Sequence, residues 1–192
     1  MPLRAQYLAD IGLHSNPYPA APESRIAAIY GTARRGRISK AFASQLWQNH
    51  FNGIHSLIVG GRLPAVQPAF DNWWTGEALK LTGSLRAQGK GDFGIAQKMM
   101  NLFLKDLWAF GLIQMPIEAH LHAPIDRRVL AKFAVVLTTW NPWTKASAST
   151  RACPTVRDYF LLQQTLRDYW RSSPIVFPSV IQMEQFFWHS IP

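Results

Sequence analysis

The chain has 192 residues, enough to bury one sizeable hydrophobic core. Its residues are 48% hydrophobic and 16% charged, a composition that excludes an intrinsically disordered chain. Twenty Lys and Arg residues against eleven Asp and Glu give a formal net charge of +9, which favours a polyanionic partner such as nucleic acid. We therefore expect a single domain over residues 1–192 that binds a nucleic acid.

Cysteine content and hydropathy indicate the compartment. Cys153 is the only cysteine, so no disulfide can form within the chain, and a reducing environment is expected. No stretch approaches the ~18 apolar residues of a membrane span, and Met1–Asp10 lacks the pattern of a signal peptide. These features predict a cytoplasmic protein without a membrane partner.

Apolar residues recur at helical spacing along the chain, and the alternation typical of strands is nearly absent, so an all-α fold is predicted. Gly and Pro set most of the predicted helix boundaries, because Gly ends helices readily and Pro is accepted in their first turn. In chain order the predicted helices are Glu23–Ala33, a helix capped by Ser39 and ended by Gly60-Gly61, a helix from Pro68 whose end is marked by Gly83 and Gly89, Gln97–Phe110 ended by Gly111, a helix from Pro124, Pro154–Trp170 and Ser179–Trp188.

Two segments carry candidate chemistry, and the first is the glycine-rich turn before the helix that contains Lys98. Such a turn exposes main-chain N–H groups at a helix N-terminus, where the helix dipole favours a phosphate. A glycine-rich turn is also ordinary loop punctuation. The turn alone therefore leaves both interpretations open.

The second segment places Asp126 in the first turn of the helix that Pro124 begins. An Asp at that position often does no more than complement the helix dipole. Arg127 and Arg128 follow it, and two adjacent guanidinium groups suit a helix end that faces DNA.

Together the two segments resemble the helix-hairpin-helix DNA glycosylase superfamily. Phe93-Gly94-Ile95-Ala96-Gln97-Lys98 is similar to the family hairpin Pro-Gly-Val-Gly-x-Lys, and Pro124-Ile125-Asp126-Arg127-Arg128-Val129 is similar to the family segment Pro-Val-Asp-x-x-Val. This chain departs from the pattern at Phe93, which replaces the Pro, and at Ala96, which replaces the second Gly. Lys98 and Asp126 also lie 28 positions apart (126 − 98), which is longer than in most members. A longer insertion here is a feature of the archaeal 8-oxoguanine branch, which this chain resembles most.

The resemblance covers about residues 89–133 and implies a helix-hairpin-helix glycosylase fold of two small helical lobes around a cleft. By it, Lys98 corresponds to the Schiff-base lysine of the bifunctional members and Asp126 to the catalytic aspartate. A buried lysine can attack C1′ of the deoxyribose as a neutral amine, and a nearby carboxylate stabilises the positive charge that develops on the sugar. Lys105, on the same helix face, is the alternative amine. Gly91, Gly94, Ala96, Arg127 and Arg128 are expected to contact the DNA backbone.

A base must leave the duplex before a glycosylase can act on it, so an aromatic pocket is expected. Trp140 and Trp143 flank a Pro-containing turn and are the predicted pocket residues, with Asn141 and Gln114 as candidates to read a base edge. No set of side chains has zinc-ligand spacing and no nucleotide-binding motif is present, so neither a metal nor a cofactor is expected.

The expected function is therefore a monomeric DNA glycosylase that flips a modified base from double-stranded DNA and leaves an abasic site. It would act in base-excision repair, or in phage defence against glucosylated hydroxymethylcytosine. Two alternatives stay open at this point. One is a non-enzymatic helix-hairpin-helix DNA-binding protein, which would bind damaged duplexes without cutting them. The other is a helical RNase or toxin-like protein.

Overall fold

A computed structural model describes residues 2–34, 36–125, 129 and 156–190. Throughout this part of the chain the regular elements are helices and no strand occurs, which confirms the predicted all-α class. The helices are α1 (Leu3–Asp10), α2 (Pro22–Arg34), α3 (Lys40–Leu46), α4 (Asn52–Val59), α5 (Gln67–Ala87), α6 (Phe93–Ala109), α7 (Val156–Ser172) and α8 (Val180–Ser190). A π-helical segment, Trp47–Phe51, joins α3 to α4, and a 3-10 turn, Ile117–His120, follows α6.

The helix ends largely agree with the sequence signals. Ser39 caps α3, as predicted, because its side chain accepts a hydrogen bond from the N–H of Phe42 at 3.1 Å. Gly89 has a φ of 60° and ends α5. Gly83, however, lies inside α5, so its prediction as a helix end is wrong. Burial of Leu81 and Leu85 on either side outweighs the roughly 1 kcal/mol that Gly costs in a helix.

Helix α6 lies at the centre of the molecule. Thirteen of its 17 residues are buried, and it packs against α1, α2 and α5. It begins at Phe93, four residues before the predicted start, because Phe93 and Ala96 already face the core and the Asp92 side chain caps the helix. The family-like hairpin residues therefore lie in the first turns of α6, with the connecting turn before them.

Helix α1 was not predicted from the sequence. It is short, and only Tyr7 of its residues is buried. The phenol of Tyr7 donates a hydrogen bond to Oδ1 of Asp106 in α6 at 2.7 Å, so a contact across 99 residues holds α1 in place. None of the described helices is long and apolar enough to cross a membrane.

Candidate functional site

A cavity of about 130 Å³ lies beside α6, where α1, α2 and α8 meet it. We call the cavity the lysine pocket because two lysines of α6 line it. Its walls include Tyr7, Asp10, Arg25, Lys98, Leu102, Lys105, Pro124, Val129, Glu184, Gln185 and Trp188.

Lys98, Leu102 and Lys105 follow one another at spacings of four and three residues, so they share one face of α6. The predicted nucleophile, Lys98, is half-buried, and its Nζ donates a hydrogen bond to the main-chain carbonyl of Ala33 at 3.3 Å. The structure thus places this lysine in a pocket wall that is lined by both apolar side chains, such as Leu102, and charged ones, such as Glu184. An amine in that setting is accessible to a ligand in the cavity.

Lys105 has a different environment. Its Nζ pairs with the carboxylate of Glu184, and both side chains are about 95% buried, with exposures of 4% and 5%. The ammonium group also lies 4.8 Å from the ring centre of Tyr7. Lys105 is thus held in the pocket wall by a buried ion pair. Lys98 is only half-buried, so it is the more accessible of the two amines.

A second buried charge, the carboxylate of Asp106, accepts hydrogen bonds from Tyr7 and Arg25 of the pocket wall. Arg25 donates to both carboxylate oxygens of Asp106, at 2.7 and 2.8 Å, and Tyr18 donates to Oδ2 at 2.5 Å. Burial and then the negative charge of Asp106 raise the pKa of Tyr7 and of Tyr18, so both phenols remain protonated donors. Burial opposes the charge of Arg25, but the hydrogen bonds and charge of Asp106 raise its pKa overall. This network makes the wall rigid.

Residues 124–129, which we call the aspartate segment because they include Asp126, also contribute to the lining of the lysine pocket. Pro124 and Val129, which lie on either side of Asp126 in the sequence, both line it. Residues 121–125 are buried and belong to no helix, they begin with extended backbone at Leu121 (φ −59°, ψ 143°), and they lead directly to Asp126. Of the predicted site residues, Asp126, Arg127, Arg128, Trp140, Asn141 and Trp143 lie outside the described residues.

Two glutamines hold this extended segment by its main chain. Gln97 of α6 donates to the carbonyl of Ile125 at 2.8 Å and accepts from its N–H at 3.2 Å. Gln163 of α7 does the same for Ala123, at 2.7 and 3.2 Å. Both glutamines are fully buried. Their roles were not predicted; the available signal was a glutamine within the apolar face of a helix.

His122, in the same segment, belongs to a closed polar network. Its Nδ1 is 2.7 Å from the hydroxyl of Tyr159, and its Nε2 is 2.8 Å from Oδ1 of Asp71, which Arg167 also contacts at 3.2 Å. Burial lowers the pKa of His122 to about 4, although the hydrogen bond to Asp71 acts in the opposite direction. His122 is therefore a neutral structural residue at pH 7.

The hairpin residues offer fewer phosphate contacts than the resemblance implies. The N–H of Gly94 donates to the Asp92 carboxylate at 3.0 Å, and the N–H of Ala96 donates to the Asp92 carbonyl at 3.0 Å. Both groups are thus already bonded within the protein. Gly91 is required by packing, since a Cβ there would lie 2.9 Å from Cβ of Ile95.

The remaining predicted base reader, Gln114, lies away from the lysine pocket. It is exposed, and its amide donates to the carbonyl of Gly111 at 3.1 Å. Within the described residues, no group of three or more His, Cys, Asp and Glu side chains could hold a metal ion.

Comparison with models of known protein families, with curated proteins and with solved structures finds no match for this chain.

Proposed function

We propose that the protein is a DNA glycosylase that removes a modified base and leaves an abasic site, with Lys98 and Asp126 as its catalytic residues. The observation that carries this proposal is the lining of the lysine pocket. Lys98 lies in one wall, and Pro124 and Val129, the two ends of the aspartate segment, lie in the same cavity. The two segments that resemble the family in sequence thus meet at a single site.

The chemistry of the proposed reaction assigns one role to each residue. The neutral amine of Lys98 forms a bond to C1′ of the deoxyribose as the bond between C1′ and the base nitrogen breaks. The base leaves with the bonding electron pair and takes up a proton from water. The carboxylate of Asp126 stabilises the positive charge that develops on the sugar. Loss of the amine proton and cleavage of the C1′–O4′ bond, with O4′ taking up a proton, then give a Schiff base. This Schiff base permits strand cleavage by β-elimination as an associated lyase activity, and its hydrolysis frees Lys98.

Charge and rigidity at the α5–α6 turn support a DNA partner. Tyr30 of α2 donates to the carbonyl of Lys90 at 2.7 Å, and Arg34 donates to the carbonyl of Gly89 at 3.3 Å. The turn is therefore held against α2 with Arg34 exposed beside it. On a chain with a net charge of +9, such a turn can contact the phosphate backbone without reading sequence.

Two substrates follow from the proposed family relationship. One is 8-oxoguanine, which would place the enzyme in base-excision repair. The other is a hypermodified cytosine, such as glucosylated hydroxymethylcytosine, which would give it a role in phage defence. Each substrate is tested directly by including it in the assay.

Borohydride trapping with a parallel alkali-cleavage assay tests the proposal. The protein would be incubated with a duplex that contains 8-oxoguanine and with phage DNA that carries glucosylated hydroxymethylcytosine. We expect a covalent adduct on one of these DNAs that is lost in Lys98→Ala and kept in Lys80→Ala, since Lys80 is an exposed lysine paired with Glu77. Alkali-labile sites without an adduct would show base release that relies on Asp126 without a lysine nucleophile.

The second candidate function is a non-enzymatic DNA-binding protein. It is favoured by the hydrogen bond from Nζ of Lys98 to the Ala33 carbonyl, because this bond holds the amine against the protein and gives it a structural role. Binding to both DNAs, with neither adduct nor alkali-labile site, would support this function and contradict the glycosylase.

A further inference from the structure

The side-chain amide of Gln97 makes every hydrogen bond available to it. Its Nε2 donates to the carbonyls of Gly94, at 3.1 Å, and Ile125, at 2.8 Å. Its Oε1 accepts from the N–H of Ile125, at 3.2 Å, and from Nδ2 of Asn101, at 3.3 Å. Two donors and two acceptor positions are the whole capacity of a primary amide. The position of Gln97 relative to Ile125 is therefore strongly determined.

The side-chain amide of Gln97 supplies the hydrogen-bond partners of the Ile125 main chain. A buried, extended segment needs partners for its main-chain N–H and C=O groups. Among the described residues no strand pairs with residues 121–125, and Gln97 bonds both groups of Ile125 instead. Ile125 is the last residue of this segment before Asp126. The start of the aspartate segment is thereby attached to α6.

Gln97 and Lys98 are consecutive residues of α6, yet they face different surroundings. Gln97 is fully buried against the extended segment, whereas Lys98 lines the lysine pocket. One short stretch of helix therefore carries both the proposed nucleophile and the group that fixes the main chain next to Asp126. Loss of either bond between Gln97 and Ile125 removes a direct attachment of the main chain before Asp126 to α6.

We propose that Gln97 is a positioning residue, which sets the aspartate segment relative to Lys98 through its paired hydrogen bonds to Ile125. This inference rests on the proposed glycosylase function. It extends that function because Gln97 acts through Ile125 and not on the DNA. A positional error of about 1 Å in a catalytic site can lower a rate about 100-fold, so the expected effect is on the chemical step.

The test compares Gln97→Met with Gln163→Met. Methionine keeps the length of the side chain and loses its hydrogen bonds, and Gln163 makes the same pair of bonds to Ala123, two residues farther from Asp126. Both variants should lower the melting temperature, because each removes buried hydrogen bonds to the main chain. In single-turnover base release, we expect Gln97→Met to be slowed about 10- to 100-fold, and Gln163→Met to stay within about threefold of the wild type. The Kd for DNA should change less than about twofold in both variants.

Equal slowing in the two variants, or slowing in neither, would overturn the positioning role while the wild-type protein remains active. A wild-type protein that releases no base would instead overturn the proposed function, and the positioning role with it. If Gln97→Met does not fold, the comparison is made between Gln97→Glu and Gln163→Glu, which retain an acceptor oxygen and lose the amide donor. Gln97→Glu is then expected to be the slower of the two.

Discussion

Helix α6 turns two polar faces toward the interior, and they differ in whether space is left beside them. On one face, Gln97 and Asn101 are fully buried, and hydrogen bonds to the main chain of residues 123–125 satisfy their amides. On the other, Lys98 and Lys105 line a cavity of about 130 Å³. Burying a polar group is costly unless it is bonded, and both faces meet that requirement. A buried polar side chain is therefore a candidate for function when a cavity adjoins it, and has a structural role when the protein fills the space around it.

The proposed catalytic site predicts a loss of chemistry when Asp126 is neutralised. We expect Asp126→Asn to lower the single-turnover rate of base release about 100- to 1,000-fold, because removing one preorganised electrostatic group has an effect of this size. Binding to the same DNA should be retained, which a gel-shift titration measures. Asp168→Asn is the matched control, since Asp168 is an exposed carboxylate of α7 with a side-chain exposure of 61%. An unchanged rate in Asp126→Asn would contradict the catalytic assignment.

The ion pair in the pocket wall predicts a large effect on stability. Glu184→Leu leaves the ammonium of Lys105 buried without its carboxylate, and we expect the free energy of unfolding to fall by about 3 kcal/mol. Urea denaturation measures this change. The double variant Lys105→Met with Glu184→Leu should recover most of the loss, because it removes both charges. A double variant no more stable than Glu184→Leu would argue against the pair as the cause.

The buried polar network around His122 predicts a dependence of stability on pH. The pKa of His122 is about 4 in the folded protein and about 6.5 in the unfolded chain, so the unfolded state binds more protons between these values. His122 therefore contributes stability that is fully present above pH 6.5 and is lost as the pH falls toward 4, by at most about 3 kcal/mol. Denaturation midpoints across this range measure the loss. His122→Gln should show a shallower slope, and an identical slope would exclude His122 as its source.

The smallest predicted effect concerns the cap of α6. Asp92→Ala removes the acceptor for the N–H of Gly94 and should lower the free energy of unfolding by about 1 kcal/mol. Asp92→Ser keeps a capping oxygen, removes a negative charge from the turn, and should tighten DNA binding a few-fold at low salt. Weaker binding by Asp92→Ser would show that this turn does not face the phosphate backbone.

Local signals in the sequence predicted most of the helices and part of the candidate site. The Ser39 cap and the Gly89 helix end depend on a few neighbouring residues, so they can be read from the chain directly. The pairs Arg25–Asp106 and Lys105–Glu184 join residues about 80 positions apart, and no local pattern specifies such partners. The contacts of Gln97 with Ile125 depend in the same way on how the extended segment packs against α6.

The two pocket lysines give the most direct test of the proposed chemistry. After borohydride trapping on DNA with an active modified base, the adduct would be digested and the modified peptide sequenced by mass spectrometry. We predict modification at Lys98, which is half-buried in the pocket wall, and none at Lys105, whose side chain is 4% exposed and paired with Glu184. An adduct at Lys105, or base release without any adduct, would contradict Lys98 as the nucleophile.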